Sequence, residues 1–172
     1  LLSIGNNLTA TAGTFDTAGN TLTIVTDLVL NGATLNAGAS VIDIGDDLTL
    51  TSGTFNAGSS SISLFDDITG TSSVFVAQSS TLTFDGTGTQ AVLSGITLNH
   101  AVVNGSGNTV QPGGNIILTG NLTVTSGVFD QTVAGRTITR SGSGAITVGS
   151  AGSLIIRDAG TTPYATAFPG WG

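Results

Sequence analysis

Apolar and polar residues alternate along most of this chain. In Leu48-Thr49-Leu50-Thr51 and Thr81-Leu82-Thr83-Phe84, for example, every second side chain is a large apolar one. A period of two predicts a β-strand with one buried face, because successive side chains of a strand point to opposite sides. Gly, Asn, Asp and Ser separate these segments, so we expect many short strands joined by turns.

The alternating segments recur at a constant interval in the first half of the chain. Equivalent positions carry similar residues, in columns that include Asn7-Leu8, Asp27-Leu28, Asp47-Leu48 and Asp67-Ile68; Phe15, Leu35, Phe55 and Phe75; and Leu22, Ile42, Ile62 and Leu82. At about 3.3 Å per residue, a repeat of about 20 residues makes one coil of a parallel β-solenoid, in which each coil stacks about 4.8 Å above the last. We therefore predict an all-β, single-domain, right-handed parallel β-solenoid (a β-helix), since parallel crossovers strongly prefer that hand.

The competing architecture is an antiparallel sandwich or barrel. Asn31-Gly32 and Asn104-Gly105 are dipeptides typical of tight β-hairpins. A meander gives residues one repeat apart no reason to share a type and a face, whereas a solenoid requires it to keep its core continuous. The repeat therefore favours the solenoid.

The second half of the chain is less regular. Residues 121–130 repeat residues 47–56 almost residue for residue, but the interval from Asp67 to Asn121 is shorter than three full repeats. Residues 85–120 are therefore expected to hold either two longer coils or three shortened ones. We predict a β-solenoid over residues 1–158 and a non-repetitive tail over residues 159–172; at about 20 residues per coil, the length of the whole chain corresponds to eight or nine coils.

Composition excludes several classes of function. The chain has 172 residues, of which 8% are charged; its ten acidic residues are all Asp, its three basic residues are all Arg, and its net charge is −7. This charge excludes nucleic-acid binding as the main function. The chain has no Cys, which excludes disulfides and zinc–thiolate sites. Its apolar runs are far shorter than the ~18 residues of a transmembrane helix, so no transmembrane segment is expected.

Some repeat strings resemble those of a known group of proteins. Residues 47–58 and Gly120-Asn121-Leu122-Thr123-Val124-Thr125 resemble the β-strand repeats of large bacterial surface and secreted proteins, including haemagglutinin-like and autotransporter-passenger adhesins. The resemblance covers most of residues 2–156. It implies an extracellular or cell-surface location and a scaffold or adhesive role, without naming a ligand.

The first residues fall in the middle of a coil. Leu2-Ser3-Ile4-Gly5 occupies the columns of Ile42-Asp43-Ile44-Gly45. An open first coil exposes unpaired strand groups and core side chains. We expect either a segment of a longer solenoid or a subunit that stacks head to tail into a filament. The assembly interface would use Leu2 and Ile4 at one end; at the other, Tyr164, Phe168 and Trp171 of the tail would dock or act as a cap.

Stacked carboxylates are the candidate metal ligands. Asp27, Asp47 and Asp67 fall in one column, with Asp46 and Asp66 beside the last two. Like charges about 5 Å apart repel, and a calcium ion held by these carboxylates would cancel the repulsion. The alternative is a solvated corner in which Asx side chains accept hydrogen bonds from their own turns. Apart from this structural calcium, we expect no cofactor.

The sequence favours a structural protein over an enzyme. Many β-helix enzymes that act on acidic polysaccharides use clustered carboxylates with Lys or Arg on one face, but this chain has neither Glu nor Lys. Asp46 and Asp47 are adjacent, so in an extended segment they would point to opposite faces. We predict an extracellular structural protein, with a carbohydrate-binding or polysaccharide-cleaving β-helix as the alternative. Outward Thr pairs such as Thr49/Thr51 would suit a glycan or ice surface.

Overall fold

The computed structural model of the chain describes residues 1–131 and 136–156, which form short β-strands and one 3-10 turn at Ser72–Val74. Among these residues no helix is long and apolar enough to cross a membrane. The strands are β1 (Leu2–Ile4), β2 (Leu8–Ala10), β3 (Thr14–Asp16), β4 (Leu22–Ile24), β5 (Leu28–Asn36), β6 (Val41–Ile44), β7 (Leu48–Asn56), β8 (Ser61–Leu64), β9 (Ile68–Gly70), β10 (Phe75–Val76), β11 (Thr81–Phe84), β12 (Thr89–Val92), β13 (Thr97–Leu98), β14 (His100–Pro112), β15 (Ile116–Leu118), β16 (Leu122–Gln131), β17 (Ile138–Arg140) and β18 (Ile146–Ile156).

The first face of every coil belongs to one parallel ladder. In it β1, β4, β6, β8 and β11 stack in order and continue through the beginnings of β14, β16 and β18. One inward file runs through Leu2, Leu22, Ile42, Ile62, Leu82, Ala101, Leu122 and Ile146. The interval between its members is uniform as far as Leu82, slightly shorter to Ala101, and longer to Leu122 and Ile146.

Two further faces complete each coil. In the lower coils the second face contains β2, the first parts of β5 and β7, and β9; the third contains β3, the second parts of β5 and β7, and β10. In the upper coils the second face is formed by β12 and the ends of β14, β16 and β18. The third face is formed by β13, β15 and β17. We call β1–β3 the lower end, and β17 with β18 the upper end.

The predicted stacking is confirmed. Leu28 pairs with Leu48, which pairs with Ile68, and the Phe15 file continues through Leu35 and beyond in the same register. Each strand pair in the described part of the chain is parallel, which excludes the antiparallel alternative there. The fold is therefore a β-solenoid.

The two Asn–Gly dipeptides form corners instead of hairpins. Asn31-Gly32 lies inside β5 and Asn104-Gly105 inside β14, in both cases where the ladder register shifts. Gly32 has φ +107. A corner of a solenoid also bends the backbone but sends the chain onward to the next face, so the dipeptide alone does not distinguish the two.

The expected layout of the second half was wrong. Leu122 pairs with Ala101 on the first face, although its string matches the one that begins at Leu48 on the second face. The interval from Asp67 to Asn121 is therefore not a whole number of coils, and residues 85–120 contain coils of nearly ordinary length. The described residues make about seven turns, fewer than the eight or nine expected for the whole chain, because the later coils are longer and residues 157–172 lie outside the description.

The core is a column of aliphatic side chains with aromatic rings at intervals. The rings of Phe55 and Phe75 stack edge to face, with centroids 5.3 Å apart and planes at 78°. The coil from residue 41 to 60 buries six apolar side chains: Ile42, Ile44, Leu48, Leu50, Phe55 and Ala57. Because each coil covers the one below, residues become fully buried only when a coil lies on both sides of them.

Candidate functional site

The acidic corner is the turn between the first and second faces in the lower coils, and it contains Asp27, Asp46, Asp47, Asp66 and Asp67. Asn7, Asp27, Asp47 and Asp67 lie in one file, because each precedes the inward residue that begins the second face. Asn7 Nδ2 donates to Asp27 Oδ2 at 2.8 Å. The backbone N–H groups of Asp47 and Asp67 donate to the carboxylate one coil below, at 3.3 and 2.9 Å.

These carboxylates thus join successive coils. The backbone N–H of Ala91 extends the series by donating to Asp67 Oδ1 at 2.6 Å. The alternative to calcium was an Asx bond within each turn. That pattern is seen at Asp16, which accepts from the N–H of Ala18 at 2.7 Å. In the acidic corner the parallel stack brings the next coil's N–H above each carboxylate, and that donor takes the bond.

A second row of carboxylates lies beside this file. Oxygen atoms of Asp46, Asp47 and Asp66 lie within 4.8 Å of one another. Asp46 and Asp47 would point to opposite faces only in an extended segment, and that condition is not met, because the chain bends at residues 45–46. Two adjacent carboxylates can therefore share one side of the corner.

Burial and mutual repulsion act together on these carboxyl groups. Burial raises the pKa of Asp66 above its ordinary value, and the charges of Asp67, Asp47 and Asp46 raise it further. Burial also raises the pKa of Asp47, although the hydrogen bond from the backbone of Asp67 opposes the shift. A similar effect raises the pKa of Asp85, through burial and the charge of Asp43.

The arrangement brings together three of the five predicted calcium ligands. Asp46, Asp47 and Asp66 offer carboxylate oxygens, which hard cations prefer. Asp27, Asp47 and Asp67 accept bonds in the file between coils. Calcium binding stays a prediction. It requires that millimolar calcium raise the melting temperature and that a chelator lower it again.

A buried pair of amides continues the corner above the acidic file. Gln90 Nε2 donates to the carbonyl oxygens of Leu64 and Asp66 at 3.1 and 2.7 Å. Gln90 Oε1 accepts from Asn108 Nδ2 at 2.5 Å, and the same nitrogen donates to the carbonyl of Phe84 at 3.2 Å. No site was predicted here, since residues 86–90 have the composition of a loop. Gln90 and Asn108 do share the parity of the inward Val92 and Val110, and that signal would have placed both inside.

The lower end leaves the core open. Leu2 is 43% exposed and Ile4 is half-buried, whereas Leu22 and Ile24, one coil higher in the same files, are each 1% exposed. Phe15 on the third face is half-buried as well. A cavity of about 350 Å³ opens beside Leu2, Phe15 and Asp16. The predicted interface residues Leu2 and Ile4 thus lie at an uncovered end of the stack.

The upper end is open in the residues that the structure describes. Val148 is 44% exposed and Ile146 is half-buried, while Val124 and Leu122 beneath them are fully buried. The predicted tail residues Tyr164, Phe168 and Trp171 lie outside the described residues, as does Arg157. The two described ends therefore present the same kind of surface, a parallel strand edge over branched aliphatic side chains.

The described basic side chains bond to the backbone. Arg136 Nη1 donates to the carbonyl of Pro112 at 2.5 Å, and Arg140 Nε donates to that of Gly142 at 2.6 Å. His100 Nδ1 accepts from the N–H of Asn121 at 3.0 Å. These bonds fasten the upper coils to one another or hold local turns.

Surfaces that would suit a glycan are limited. Phe65, 45% exposed, is the one outward aromatic ring in the described part of the chain, since the rings of Phe55, Phe75, Phe84 and Phe129 are buried. A second cavity, of about 450 Å³, lies at the upper corner between residues 106–109, 126–128 and 150–153. Its lining is mainly Gly, Ser and Thr. The outward Thr49 and Thr69 hydroxyls bond to each other at 3.2 Å.

Comparison with known proteins gives no relative. No family model matches the sequence, no curated protein matches it, and no solved structure matches its fold. Function must therefore be inferred from the geometry of the chain itself.

Proposed function

We propose that this chain is an extracellular structural protein whose work is mechanical: a β-solenoid rod that joins end to end, as a subunit of a head-to-tail filament or as a segment of a cell-surface adhesin. The observation that carries the proposal is the open lower end. Leu2 and Ile4 continue the inward files of the solenoid, but no coil of the described residues lies beneath them. One more coil would complete their burial.

The gain from covering this end is appreciable. Full burial of a Leu, Ile or Phe side chain contributes about 1.5–3 kcal/mol. Leu2, Ile4, Leu8 and Phe15 are each only partly buried, so a coil placed beneath them gains roughly several kcal/mol before the entropy of association is subtracted. Backbone pairing along β1, β2 and β3 adds to this, because the lower edges of these strands have no neighbour in the described structure.

The extracellular location is the part of the proposal that depends on resemblance. Residues 47–58 and 120–125 resemble the strand repeats of bacterial surface and secreted proteins, in which such repeats form long scaffolds. A rod with stacked coils suits that use, since its length grows with each coil while its cross-section stays constant.

A charge at the lower end tests the proposal. Leu8 is inward and half-buried, and Thr9 beside it is outward and exposed. Leu8→Asp puts a carboxylate into the surface to be covered, whereas Thr9→Asp adds the same charge outside it. We expect light scattering and negative-stain electron microscopy to show elongated oligomers of the wild-type chain and of Thr9→Asp. Leu8→Asp should need at least tenfold more protein to form them.

Circular dichroism melting supplies the control, because both variants must remain folded at the assay temperature. A wild-type chain that stays monomeric at every concentration would overturn the filament form of the proposal. Equal loss of oligomers in Leu8→Asp and Thr9→Asp would show that the open core is not the contact.

A further inference from the structure

We infer that the surface which covers the lower end is the upper end of a second copy, docked in the register used inside the molecule. In this arrangement, which rests on the proposed function, β1 of the upper copy pairs in parallel with Ile146–Val148 of the lower copy. Leu2 then lies above Ile146, and Ile4 lies above Val148. The junction thereby repeats the first-face ladder without a change of strand direction.

The side chains of the two ends belong to the same inward files. Ile146 and Val148 end the files that Leu2 and Ile4 begin. All four are aliphatic and incompletely buried at their own end. Stacking Leu2 on Ile146 reproduces the contact of Leu122 with Ile146 inside the molecule, so no new packing geometry is required.

The backbone bonds follow the same rule. Within the molecule, the N–H of an inward first-face residue donates to the carbonyl that precedes its partner. Leu2 donates to Thr21 and Leu122 donates to Ala145, both at 2.9 Å. If the same pattern continues across the junction, the N–H of Ile146 in the lower copy donates to the carbonyl of Leu1 in the upper copy. The strand edges are therefore complementary as well as the side chains.

The distribution of charge favours head-to-tail stacking over the contact of two lower ends. Eight of the ten Asp residues lie between residues 16 and 85, and all three Arg residues lie at position 136 or later. Head-to-tail stacking brings the Arg-bearing end of one copy to the Asp-rich end of the next, with Asp16 and Arg140 at opposite ends of the third face. Two lower ends brought together would set acidic halves against each other.

Engineered cysteines test the register, because the chain has no cysteine of its own. Ser3 and Thr147 are exposed outward residues at the lower and upper edges of one file. Stacked strands lie about 4.8 Å apart, which suits a disulfide. We expect Ser3→Cys mixed with Thr147→Cys to form a covalent heterodimer at least tenfold faster than Ser3→Cys mixed with Ser153→Cys, in which the second cysteine lies on another face.

The outcomes separate this inference from the proposed function. A fast Ser3→Cys/Thr147→Cys disulfide, and a covalent series of multimers from the double variant, support the register. Oligomers seen by light scattering with no preference for this pair would overturn the register and leave end-to-end assembly standing. A chain that never associates would overturn both.

Discussion

Gly13 and Gly53 are exposed residues of one file that differ in what lies beneath them. Gly13 has φ +75 and Gly53 has φ +95, so an alanine at either position is strained by about 1–2 kcal/mol. A Cβ on Gly53 would lie 2.1 Å from the carbonyl oxygen of Ala33 in the coil below. A Cβ on Gly13 meets no atom within 4 Å.

The difference between the two alanine variants measures the stacking itself. The 2.1 Å separation is far shorter than the ordinary contact of at least 3.4 Å, so the coils must move apart at this corner to admit the methyl group. Overpacking of this kind costs about 1–3 kcal/mol. We therefore expect Gly53→Ala to lower the free energy of unfolding by roughly 2–5 kcal/mol and Gly13→Ala by roughly 1–2 kcal/mol.

Thermal melting followed by circular dichroism, at a protein concentration low enough to keep the chain monomeric, provides the assay. For a chain of this length, 1 kcal/mol corresponds to about 2–4 °C in melting temperature. Gly53→Ala should therefore melt several degrees below Gly13→Ala. Equal melting temperatures would refute the statement that Ala33 limits the space at residue 53.

Two further substitutions probe the corner. Gln90→Ala leaves several buried polar groups, including Asn108 Nδ2 and the carbonyl of Asp66, with fewer hydrogen-bond partners. Denaturant unfolding should therefore show a free energy of unfolding lower by about 2–4 kcal/mol. Gln78→Ala, at an exposed site, should change the free energy of unfolding little, and a similar loss in both variants would contradict a role for the buried amide pair. Asp66 has a folded pKa above its ordinary 3.8, so its contribution to stability is fully present below that pH and is lost as the pH rises through the folded pKa. Asp66→Asn removes the cost of burying this charge and its repulsion by neighbouring carboxylates, and facing like charges cost about 0.2–1 kcal/mol. The variant should therefore melt up to a few degrees above wild type at pH 7, with the gap closing near pH 3. A variant that melts lower at pH 7 would contradict this account.

The lower coils could be predicted from the sequence because their information is repeated. Leu28, Leu48 and Ile68 each mark the same inward position, and a wrong register would turn the apolar side chains of all the copies outward. The open lower end followed from the same columns, since Leu2 and Ile4 align with residues that are buried one coil higher.

The upper coils could not be placed by similarity alone. The string that begins at Leu122 describes two strands joined by a Gly corner, and such a unit fits the first and second faces as well as the second and third. Only the pairing of Leu122 with Ala101 decides between them, and Ala101 carries too small a side chain to mark the file in the sequence.

The acidic corner shows a different limit. Its residues were found from the repeated column, but the side of the corner to which Asp46 and Asp47 turn depends on the bend at residues 45–46. Strand parity holds only while the backbone is extended, and it fails within a turn. The Gln90–Asn108 contact was missed for a different reason: strand parity holds at both residues, but residues 86–90 have the composition of a loop, so no inward strand was expected there.

Residues one coil apart lie directly above one another in the lower half of the molecule, and a disulfide between two of them is the most direct measurement of that stacking. Thr49 and Thr69 are paired in adjacent coils, face outward, and have hydroxyl groups 3.2 Å from each other. The Thr49→Cys/Thr69→Cys variant should close an intramolecular disulfide rapidly and quantitatively under mild oxidation, at a dilution that excludes intermolecular bonds. The Thr23→Cys/Thr49→Cys variant, with its cysteines on different faces, should remain reduced. Failure of the first pair to close, or equal closure of both, would contradict the solenoid and the assembly proposed from it.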